Sequence, residues 1–405
     1  MNRPVPHCLR FRFTHRPDTP RRGARQGGVG GLIRSGSTTF KLFRRRTAGS
    51  VILLVLVTVL LAAFLLTKFV QRAGTEMLAD ARAGDQARLR REAYSALEVA
   101  LAVLADVRSI DSGLHSPGQG WDQPLDYAGY TPGGGRKVEI AFEDESGKIS
   151  LPKADPAALE ALFELFGLNQ ADAEKTTDAL LVWTRANYVP TSLDTGADIY
   201  ERAAIPHNPA ERPLRSWSEL ADIEYARDIF YDDDGRPNDL AREFAANVSL
   251  YSFDRININS APAMVLAVGG LASGQIDALK DRARREEVTA GLGYFKTVND
   301  TKAILGADAP LQKFGADVLA LRINVTVRDG AAVFRLSAVV APPGGASLAT
   351  AAKPAALATT STGVTATETA PQVIKKLDYP FKVLEIREDV EAPASPSTET
   401  AEHDR

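Results

Sequence analysis

The stretch RRRTAGSVILLVLVTVLLAAFLLTKF, residues 44–69, decides how this chain is organised. It opens with three arginines, and Thr47 to Thr67 then form 21 residues without a charge. At about 1.5 Å of rise per residue, such a run can cross a bilayer core about 30 Å thick as a helix. Signal peptides have a shorter apolar core, roughly 7–15 residues, followed by a small-residue cleavage site. The residues after Phe69 offer no well-placed site of that kind, so the stretch predicts a membrane-spanning helix.

The residues that follow predict that the same helix continues. Apolar residues recur at three- and four-residue steps with Arg and Glu residues between them, a pattern typical of a helix with one buried face. These apolar residues are Ala93, Leu97, Leu101 and Leu104. We therefore expect one long helix over residues 50–113, apolar in its first half and amphipathic in its second, preceded by a basic segment at 1–49.

The charges on the two sides of this span differ strongly. Residues 1–46 carry twelve Lys and Arg residues and a single acid, Asp18, whereas residues 47–405 carry 36 basic and 50 acidic residues. Basic residues before an apolar span hold that side in the cytoplasm, so the acidic remainder is predicted to face outward. The only cysteine is Cys8, in the basic segment, so the exported part cannot form an internal disulfide bond.

Strands are predicted on both sides of a helical region. RKVEIAF, within residues 114–150, alternates apolar and polar residues, and LRINVTVRDGAAVFRLSAVV, within 313–341, does so around an Asp329-Gly330 hairpin signal. FKVLEIRE predicts one more strand, within 373–390. Residues 342–372 are rich in Ala, Thr, Pro and Gly and predict a linker, and residues 391–405 predict a disordered tail.

The region between the strands predicts two helical units. In the first, residues 151–250, Asp155-Pro156 is a typical helix start. In the second, residues 251–312, ININSAPAMVLAVGGL starts a helix near Pro262 and ends it at Gly269-Gly270. Both units follow a pattern of helix, turn, helix, loop and short helix, which suggests an internal duplication.

The N-terminal stretch resembles the leader of the type IV pilin and pseudopilin superfamily. That resemblance implies a basic prepilin leader at 1–49, which a prepilin peptidase would remove by cutting between Gly49 and Ser50. Most members have a glutamate at mature position five, where this chain has Leu54. The K-type minor pseudopilin of type II secretion systems departs from the superfamily in the same way.

Two internal segments resemble the same K-type family, the GspK family. ESGKISLPKADPAAL is similar to its "SGKINLN" segment, and RININSAPAMVL is similar to its "INLNTAPAEVL" segment. The resemblance implies an α+β fold with a long N-terminal transmembrane and amphipathic helix and a pilin-like antiparallel sheet. That sheet would carry a large inserted all-helical domain of two SAM-like, helix–hairpin–helix-like units.

The resemblance also implies a function. The chain would be a non-enzymatic minor pseudopilin at the tip of a type II secretion pseudopilus, supporting pseudopilus initiation and protein export across the outer membrane. Its partners would be the I-type and J-type minor pseudopilins, the rest of the pseudopilus and the prepilin peptidase. It would sit in the inner membrane as a single-pass protein, with its N-terminus in the cytoplasm and its C-terminal domain in the periplasm.

Calcium is the one cofactor that the resemblance suggests. Relatives show a "DWxDxD" run and a later "GAE", which supply carboxylate ligands of the kind that calcium prefers. Here Val182, Arg185 and Asn187 occupy the acidic positions. The remaining candidate ligands are Asn187, Asp194 and Asp198. An acidic stretch from Tyr231, YDDDGRPNDLARE, fails the spacing of an EF-hand loop and is interpreted as a solvated turn.

Motifs of enzymes are missing from the sequence, since it has no HExxH, no G-x-S-x-G and no complete phosphate loop. The alternative function is a membrane-anchored helix–hairpin–helix DNA-binding protein of a competence-like system, in which hairpin N–H groups bind phosphate. The turn Val268-Gly-Gly-Leu-Ala272 lacks the second spaced glycine of such hairpins, and acids follow the basic cluster 280–285. Nucleic acid is therefore not the expected partner.

Overall fold

The computed structural model describes residues 48–192, 196, 198–202, 206–289, 293–349 and 380–389. Most of the predicted leader, most of the predicted linker and the predicted tail lie outside these residues. The helices are α1 (Ala48–Asp111), α2 (Pro124–Tyr127), α3 (Pro156–Leu165), α4 (Gln170–Thr184), α5 (Asp198–Glu201), α6 (Ala226–Phe230), α7 (Asp239–Asn247), α8 (Ala263–Val268), α9 (Ser273–Thr289) and α10 (Lys302–Leu305). The strands are β1 (Lys137–Asp144), β2 (Ile149–Ser150), β3 (Val248–Ser249), β4 (Tyr251–Ser252), β5 (Ile256–Asn257), β6 (Phe314–Gly315), β7 (Leu321–Asp329), β8 (Ala332–Ala341), β9 (Ser347–Leu348) and β10 (Lys382–Glu388).

The chain divides into two compact units, residues 1–73 and residues 74–405. In the first unit, the apolar part of α1 exposes its side chains along its whole length, and this part is long and apolar enough to cross a membrane. The hydroxyl groups of Thr58 and Thr67 donate to the carbonyl oxygens of Val55 and Ala63. Because these hydroxyls are satisfied within the helix, they add little cost to placing it in lipid.

In the second unit, the amphipathic part of α1 packs on a sheet. The apolar positions that the sequence predicted are buried in one cluster with residues of β7 and β8. α1 ends at Asp111, two residues before the predicted end. The buried apolar positions of α1 are Leu89, Ala93, Ala96, Leu97, Ala100, Leu101, Val103, Leu104 and Val107.

The sheet has four antiparallel strands in the order β1-β7-β8-β10. β7 and β8 form a hairpin in which Asp329 pairs with Ala332, and Gly330 in the turn has a φ of 57°. This confirms the hairpin predicted at Asp329-Gly330, where positive φ favours glycine. The mixed helix and sheet architecture, with an N-terminal apolar helix and an antiparallel sheet, is confirmed as well.

Polar contacts of α1 hold segments next to the first and last strands. The carboxylate of Glu92 accepts hydrogen bonds from the Tyr130 hydroxyl at 2.7 Å, Gly133 N at 3.2 Å and Arg136 Nη1 at 2.6 Å. At the opposite edge of the sheet, Arg90 and Tyr94 of α1 both donate to Glu388 at the end of β10. α1 is thus fastened to both edges of the sheet.

A helical insert, residues 145–320, separates β1 from β7 in sequence. Helices α3, α4, α6 and α7 surround a core that contains Phe163, Phe230 and Phe244. Helices α8 to α10 surround a second core that contains Leu266, Leu279 and Phe314. Two short parallel ladders, β2 with β3 and β5 with β6, lie where the insert meets the sheet.

Candidate functional site at the base of the helical insert

The two internal segments that resemble the K-type family lie against each other where the insert leaves the sheet. We call this region, residues 144–148 and 256–260, the insert junction. A Cβ atom at Gly147 would lie 2.5 Å from Ser260 Oγ and 3.0 Å from the Ser260 carbonyl carbon. Only glycine at position 147 therefore allows the two segments to approach so closely. The two motifs that resemble the K-type family thus contact each other directly.

The carboxylate of Asp144 lies at the centre of the insert junction. One of its oxygens accepts hydrogen bonds from Ser146 N at 2.8 Å and Ser146 Oγ at 2.5 Å. The other accepts from Asn257 Nδ2 at 2.7 Å and Ser260 Oγ at 2.5 Å. All four donors are neutral, and burial raises the pKa of Asp144 although these hydrogen bonds act in the opposite direction.

Asn257 connects the insert junction to the chain that follows α1. Its side chain is fully buried, and its Nδ2 donates to Asp144 and also to the carbonyl oxygen of His115 at 2.9 Å. The other asparagine of the ININ motif, Asn259, donates to the carbonyl oxygens of Phe295 and Ala316, each at 3.0 Å. The two asparagines thus join the insert to the sheet and to its own second core.

Glu145 is neutralised by cations on the sheet side of the insert junction. Its side chain is almost fully buried, with Arg322 Nη2 of β7 at 2.6 Å and Lys148 Nζ at 3.5 Å. Burial alone opposes ionisation of Glu145, but the charges of Lys148 and Arg322 outweigh it and lower the pKa of this carboxyl group. Lys148 also pairs with Glu143 at 2.5 Å. The insert is therefore fastened to β7 by a buried ion-pair network.

The predicted processing residues lie at the start of α1. Gly49 and Ser50 are helical, but the Ser50 side chain is outside the described part of the structure. Leu54 follows on the same helix with 66% of its surface exposed. Cleavage between Gly49 and Ser50 stays a prediction.

The predicted calcium ligands are only partly described. Asn187 is exposed and has a φ of 60°. Asp194 lies outside the described residues, and Asp198 begins α5 with a side chain that is also outside them. Among the described residues, no group of three or more His, Cys, Asp and Glu side chains could hold a metal ion. The calcium site stays a prediction.

The acidic stretch after Tyr231 forms a turn in which the Asp232 side chain binds backbone N–H groups. Asp232 Oδ1 accepts hydrogen bonds from Asp234 N at 3.1 Å and Arg236 N at 2.7 Å. Gly235 has a φ of 73°, and Tyr231 bridges to Pro237 across the turn. The Asp232 carboxylate thus supports a tight turn, as Asp does in an Asx-turn.

The hairpin between α8 and α9 has no spare N–H groups at its turn. Gly269, Gly270 and Leu271 donate their backbone N–H groups to Val265, Ala267 and Leu266. Ala272 N donates to Gln275 Oε1 at 2.9 Å. A phosphate would have to displace these hydrogen bonds, so the turn is a poor phosphate site in this conformation.

Gly269 has a packing role at the same turn. A Cβ atom there would lie 2.1 Å from Phe314 Cζ, an impossible contact. Gly269 is therefore explained by close packing of the second core.

Comparisons with known proteins agree with this architecture. Residues 142–231 match the first domain of the family described as "Type II secretion system (T2SS), protein K". The matched residues begin in β1 and include the SGKI half of the insert junction and most of the first core of the insert. The predicted resemblance to K-type minor pseudopilins is confirmed.

A solved structure shows the same fold. The chain is similar to a chain in the crystal structure of the GspK–GspI–GspJ complex from the type 2 secretion system of enterotoxigenic Escherichia coli. The TM-score is 0.50 at 14% sequence identity, over 76% of this chain and 100% of that chain. No match was found among curated proteins.

Several residues of the site could not be found from the sequence. Asp144, His115 and Arg322 belong to no local motif, and their partners lie far away in the chain: Asp144 is 113 residues from Asn257, and His115 is 142 residues from it. The partly buried Arg322 has one weak signal, a cation near the start of an alternating strand, but such residues are usually solvated.

Proposed function

We propose that this chain is a minor pseudopilin that acts as a structural, non-enzymatic subunit of a type II secretion pseudopilus. The observation that carries the proposal is the protein K domain at residues 142–231. It begins in β1 and continues into an insert that leaves an antiparallel sheet at the end of β1, in a chain whose helix α1 is long and apolar enough to cross a membrane. In this proposal the helix serves assembly and the insert forms the bulk of the exposed subunit.

The membrane arrangement follows from the charges around α1. The basic residues 1–46 would remain in the cytoplasm and the acidic remainder would lie in the periplasm, with α1 crossing the inner membrane once. A prepilin peptidase would cut between Gly49 and Ser50. The mature chain would then begin at the cytoplasmic end of the apolar helix.

A position at the tip is supported by Leu54. A carboxylate at mature position five can pair with the N-terminal ammonium of a neighbouring subunit, and such a pair is strong in a medium of low dielectric constant. Leu54 removes that partner, so this subunit would not dock beneath another one in the usual way. The helical insert, residues 145–320, would also be accommodated most easily at the end of a filament, where it would support initiation and export.

The proposed partners are the I-type and J-type minor pseudopilins. Support comes from the similar chain, which was crystallised in a GspK–GspI–GspJ complex.

The two cores of the insert would be two SAM-like units, and Asn187, Asp194 and Asp198 would be the candidate calcium ligands. The alternative DNA-binding function is not favoured, because the hairpin N–H groups at residues 269–272 already have acceptors.

The proposal is tested by the mature N-terminus. The full chain is co-expressed with a prepilin peptidase, and the intact mass and N-terminal peptide are measured by mass spectrometry. We expect a chain that begins at Ser50. The control is Gly49→Leu, in which a bulky side chain should block cleavage and leave the anchor uncut.

Partner binding is tested on the same preparation. Co-purification of the cleaved chain with I-type and J-type minor pseudopilins is expected. An uncut wild-type chain that binds neither of them would contradict the proposal.

A further inference from the structure

The end of α1 meets the second core of the insert in a cluster of charged and polar side chains. We call Asp111, His115, Tyr294, Lys296 and Asp317 the α1-end cluster. Asp111 is the last residue of α1, while Tyr294 and Lys296 follow α9. His115 and Asp317 lie on the two segments that lead away from α1 and into β7. Four parts of the chain therefore converge at one place.

Asp111 binds the segment that follows α9. Its carboxylate accepts hydrogen bonds from Gln119 Nε2 at 2.9 Å, Lys296 Nζ at 3.1 Å and the Tyr294 hydroxyl at 3.1 Å. These donors, with Gln119 first, lower the pKa of Asp111 to about 2. Asp111 is therefore ionised at any pH near neutrality.

His115 is the group in the cluster that can titrate near neutral pH. Only 5% of its surface is exposed. Its Nδ1 lies 3.0 Å from the Ala316 carbonyl oxygen and 3.2 Å from Asp317 Oδ1. The imidazole is stacked on the ring of Tyr294, with centroids 5.7 Å apart and an angle of 14° between the rings.

Glycine at position 113 makes this packing possible. A Cβ atom there would lie 2.8 Å from Asp317 Oδ1 and 3.0 Å from His115 Cε1. The chain between Asp111 and His115 thus passes directly beside the imidazole and the Asp317 carboxylate.

We propose that the α1-end cluster is a pH-dependent fastening, in which protonated His115 holds the second core of the insert and the segment before β7 against the end of α1. The charged groups that act on His115 are Asp317 and Asp111, and Asp111 itself accepts hydrogen bonds from Lys296 and from the Tyr294 hydroxyl. With His115 protonated, two cations oppose two carboxylates. When His115 loses its proton, one carboxylate is left without a counter-charge.

The direction of the pH effect follows from the surroundings of His115. The hydrogen bond with Asp317 raises the pKa of His115 above its usual value of 6.5, and the Ala316 carbonyl acts in the same direction against the effect of burial. The stabilisation is therefore complete below pH 6.5 and is lost as the pH rises through the pKa of folded His115. Asp317 is 60% exposed, so water screens part of this interaction.

The segment after α9 would respond because Tyr294 and Lys296 attach it to His115 and Asp111. Tyr294 stacks on His115 and donates to Asp111, Lys296 pairs with Asp111, and Phe295 exchanges hydrogen bonds with Asn259. Loss of charge on His115 weakens the contacts of Tyr294 and Lys296, while the hydrogen bonds between Asn259 and Phe295 remain. This inference rests on the proposed function in one respect, namely that α1 is the helix that enters the filament. The pH would then set how firmly the insert is oriented on that helix.

The test is amide hydrogen exchange on the full chain in detergent, from pH 5.5 to 8.5, expressed as protection factors that are corrected for the intrinsic exchange rate. The pKa of His115 is measured in parallel by NMR titration. We expect protection of residues 293–301 to fall as the pH rises. The fall can reach about tenfold for each pH unit by which the pKa of His115 exceeds its value in the unfolded chain.

Three variants give the experiment its controls. His115→Gln should show protection that does not change with pH, and Asp317→Asn, which keeps the imidazole, should lower the pKa of His115 and reduce the fall. His207→Gln changes an exposed histidine whose ring contacts Trp183 and Tyr200 of the first core, and this variant should behave as wild type.

The proposal is wrong if wild-type protection at 293–301 does not depend on pH, or if His115→Gln retains the same dependence. An NMR pKa of His115 at or below 6.5 would also overturn it. The measurement does not require cleavage or partners. An uncut N-terminus together with a pH-dependent fastening would therefore reject the proposed function alone.

Discussion

Asp144 and Glu145 are adjacent in the chain, yet their carboxylates are stabilised in different ways on the two sides of the insert junction. Glu145 points to the sheet side and lies between two cations, Arg322 and Lys148. Asp144 points to the insert side and meets only neutral donors, from Ser146, Asn257 and Ser260. Their pKa values consequently shift in opposite directions, with that of Glu145 lowered and that of Asp144 raised.

The difference shows how the turn that contains Asp144 and Glu145 connects the helical insert to the sheet. Ion pairs tolerate some variation in geometry because charges attract over several ångströms, and they join the turn to a regular strand. Neutral donors must be placed within hydrogen-bonding distance, so they require the close backbone approach that Gly147 permits. The insert side therefore depends on shape, and the sheet side depends on charge.

The largest expected effect is on the sheet side, in Arg322→Met. This change leaves Glu145 buried with only the more distant Lys148 as a counter-charge, and removal of one member of a buried ion pair is strongly destabilising. We expect the free energy of unfolding to fall by about 3 kcal/mol, measured by urea denaturation of the full chain in detergent. The control is Arg328→Met, at an exposed position of the same strand, where little change is expected. Equal effects of the two substitutions would contradict the role of Arg322.

The next effect is on the insert side, in Asn257→Ala. The substitution removes one side chain that donates both to Asp144 and to the His115 carbonyl oxygen. Because the His115 carbonyl oxygen then loses this buried donor and Asp144 loses one of its four donors, we expect the free energy of unfolding to fall by about 2 kcal/mol. The exposed Asn299→Ala is the matched control. If Asn257→Ala were as stable as the control, the insert side would not depend on these hydrogen bonds.

Gly147→Ala tests the shape requirement directly. Its new methyl group would collide with Ser260, including the backbone carbonyl carbon at 3.0 Å, and overpacking of this kind costs about 1–3 kcal/mol. Gly274→Ala in α9 is the control, because a Cβ atom there meets nothing within 4 Å and alanine is the better helix former. The thermal midpoint should fall for the first variant and not for the second. If the thermal midpoint fell in both variants, the loss would not be specific to the contact between Gly147 and Ser260.

The smallest effect is a difference in pH dependence between Glu145→Gln and Asp144→Asn. The lowered pKa of Glu145 stabilises the fold above its reference value of 4.5 and loses this effect as the pH falls. The raised pKa of Asp144 stabilises the fold below its reference value of 3.8 and loses this effect as the pH rises. Glu145→Gln should therefore lower the free energy of unfolding more at pH 7 than at pH 4. Asp144→Asn should lower it less at pH 7 than at pH 4. Urea denaturation at the two pH values measures the stability of both variants. The same pH dependence in both would contradict the proposed difference between Glu145 and Asp144.

The sequence by itself determined the parts of this protein that rest on local periodicity. The apolar run of α1, its buried positions at Ala93, Leu97, Leu101 and Leu104, the turn at Asp329-Gly330 and the start of α3 at Pro156 all follow from patterns within a few residues. These features require only that each segment bury one face or take up a favoured turn. The motifs SGKI and ININSAP were also visible, and they were sufficient to indicate the family.

Only the tertiary structure decided what those motifs do. Gly147 meets Ser260 and Gly269 meets Phe314 because segments distant in sequence pack together, and Asp144 acquires Asn257 across 113 residues. The same is true of His115 and Tyr294, whose rings stack although the sequence places them in separate segments. Local sequence carries no record of such partners, because the energy that selects them arises from burial and hydrogen bonding after the chain has folded.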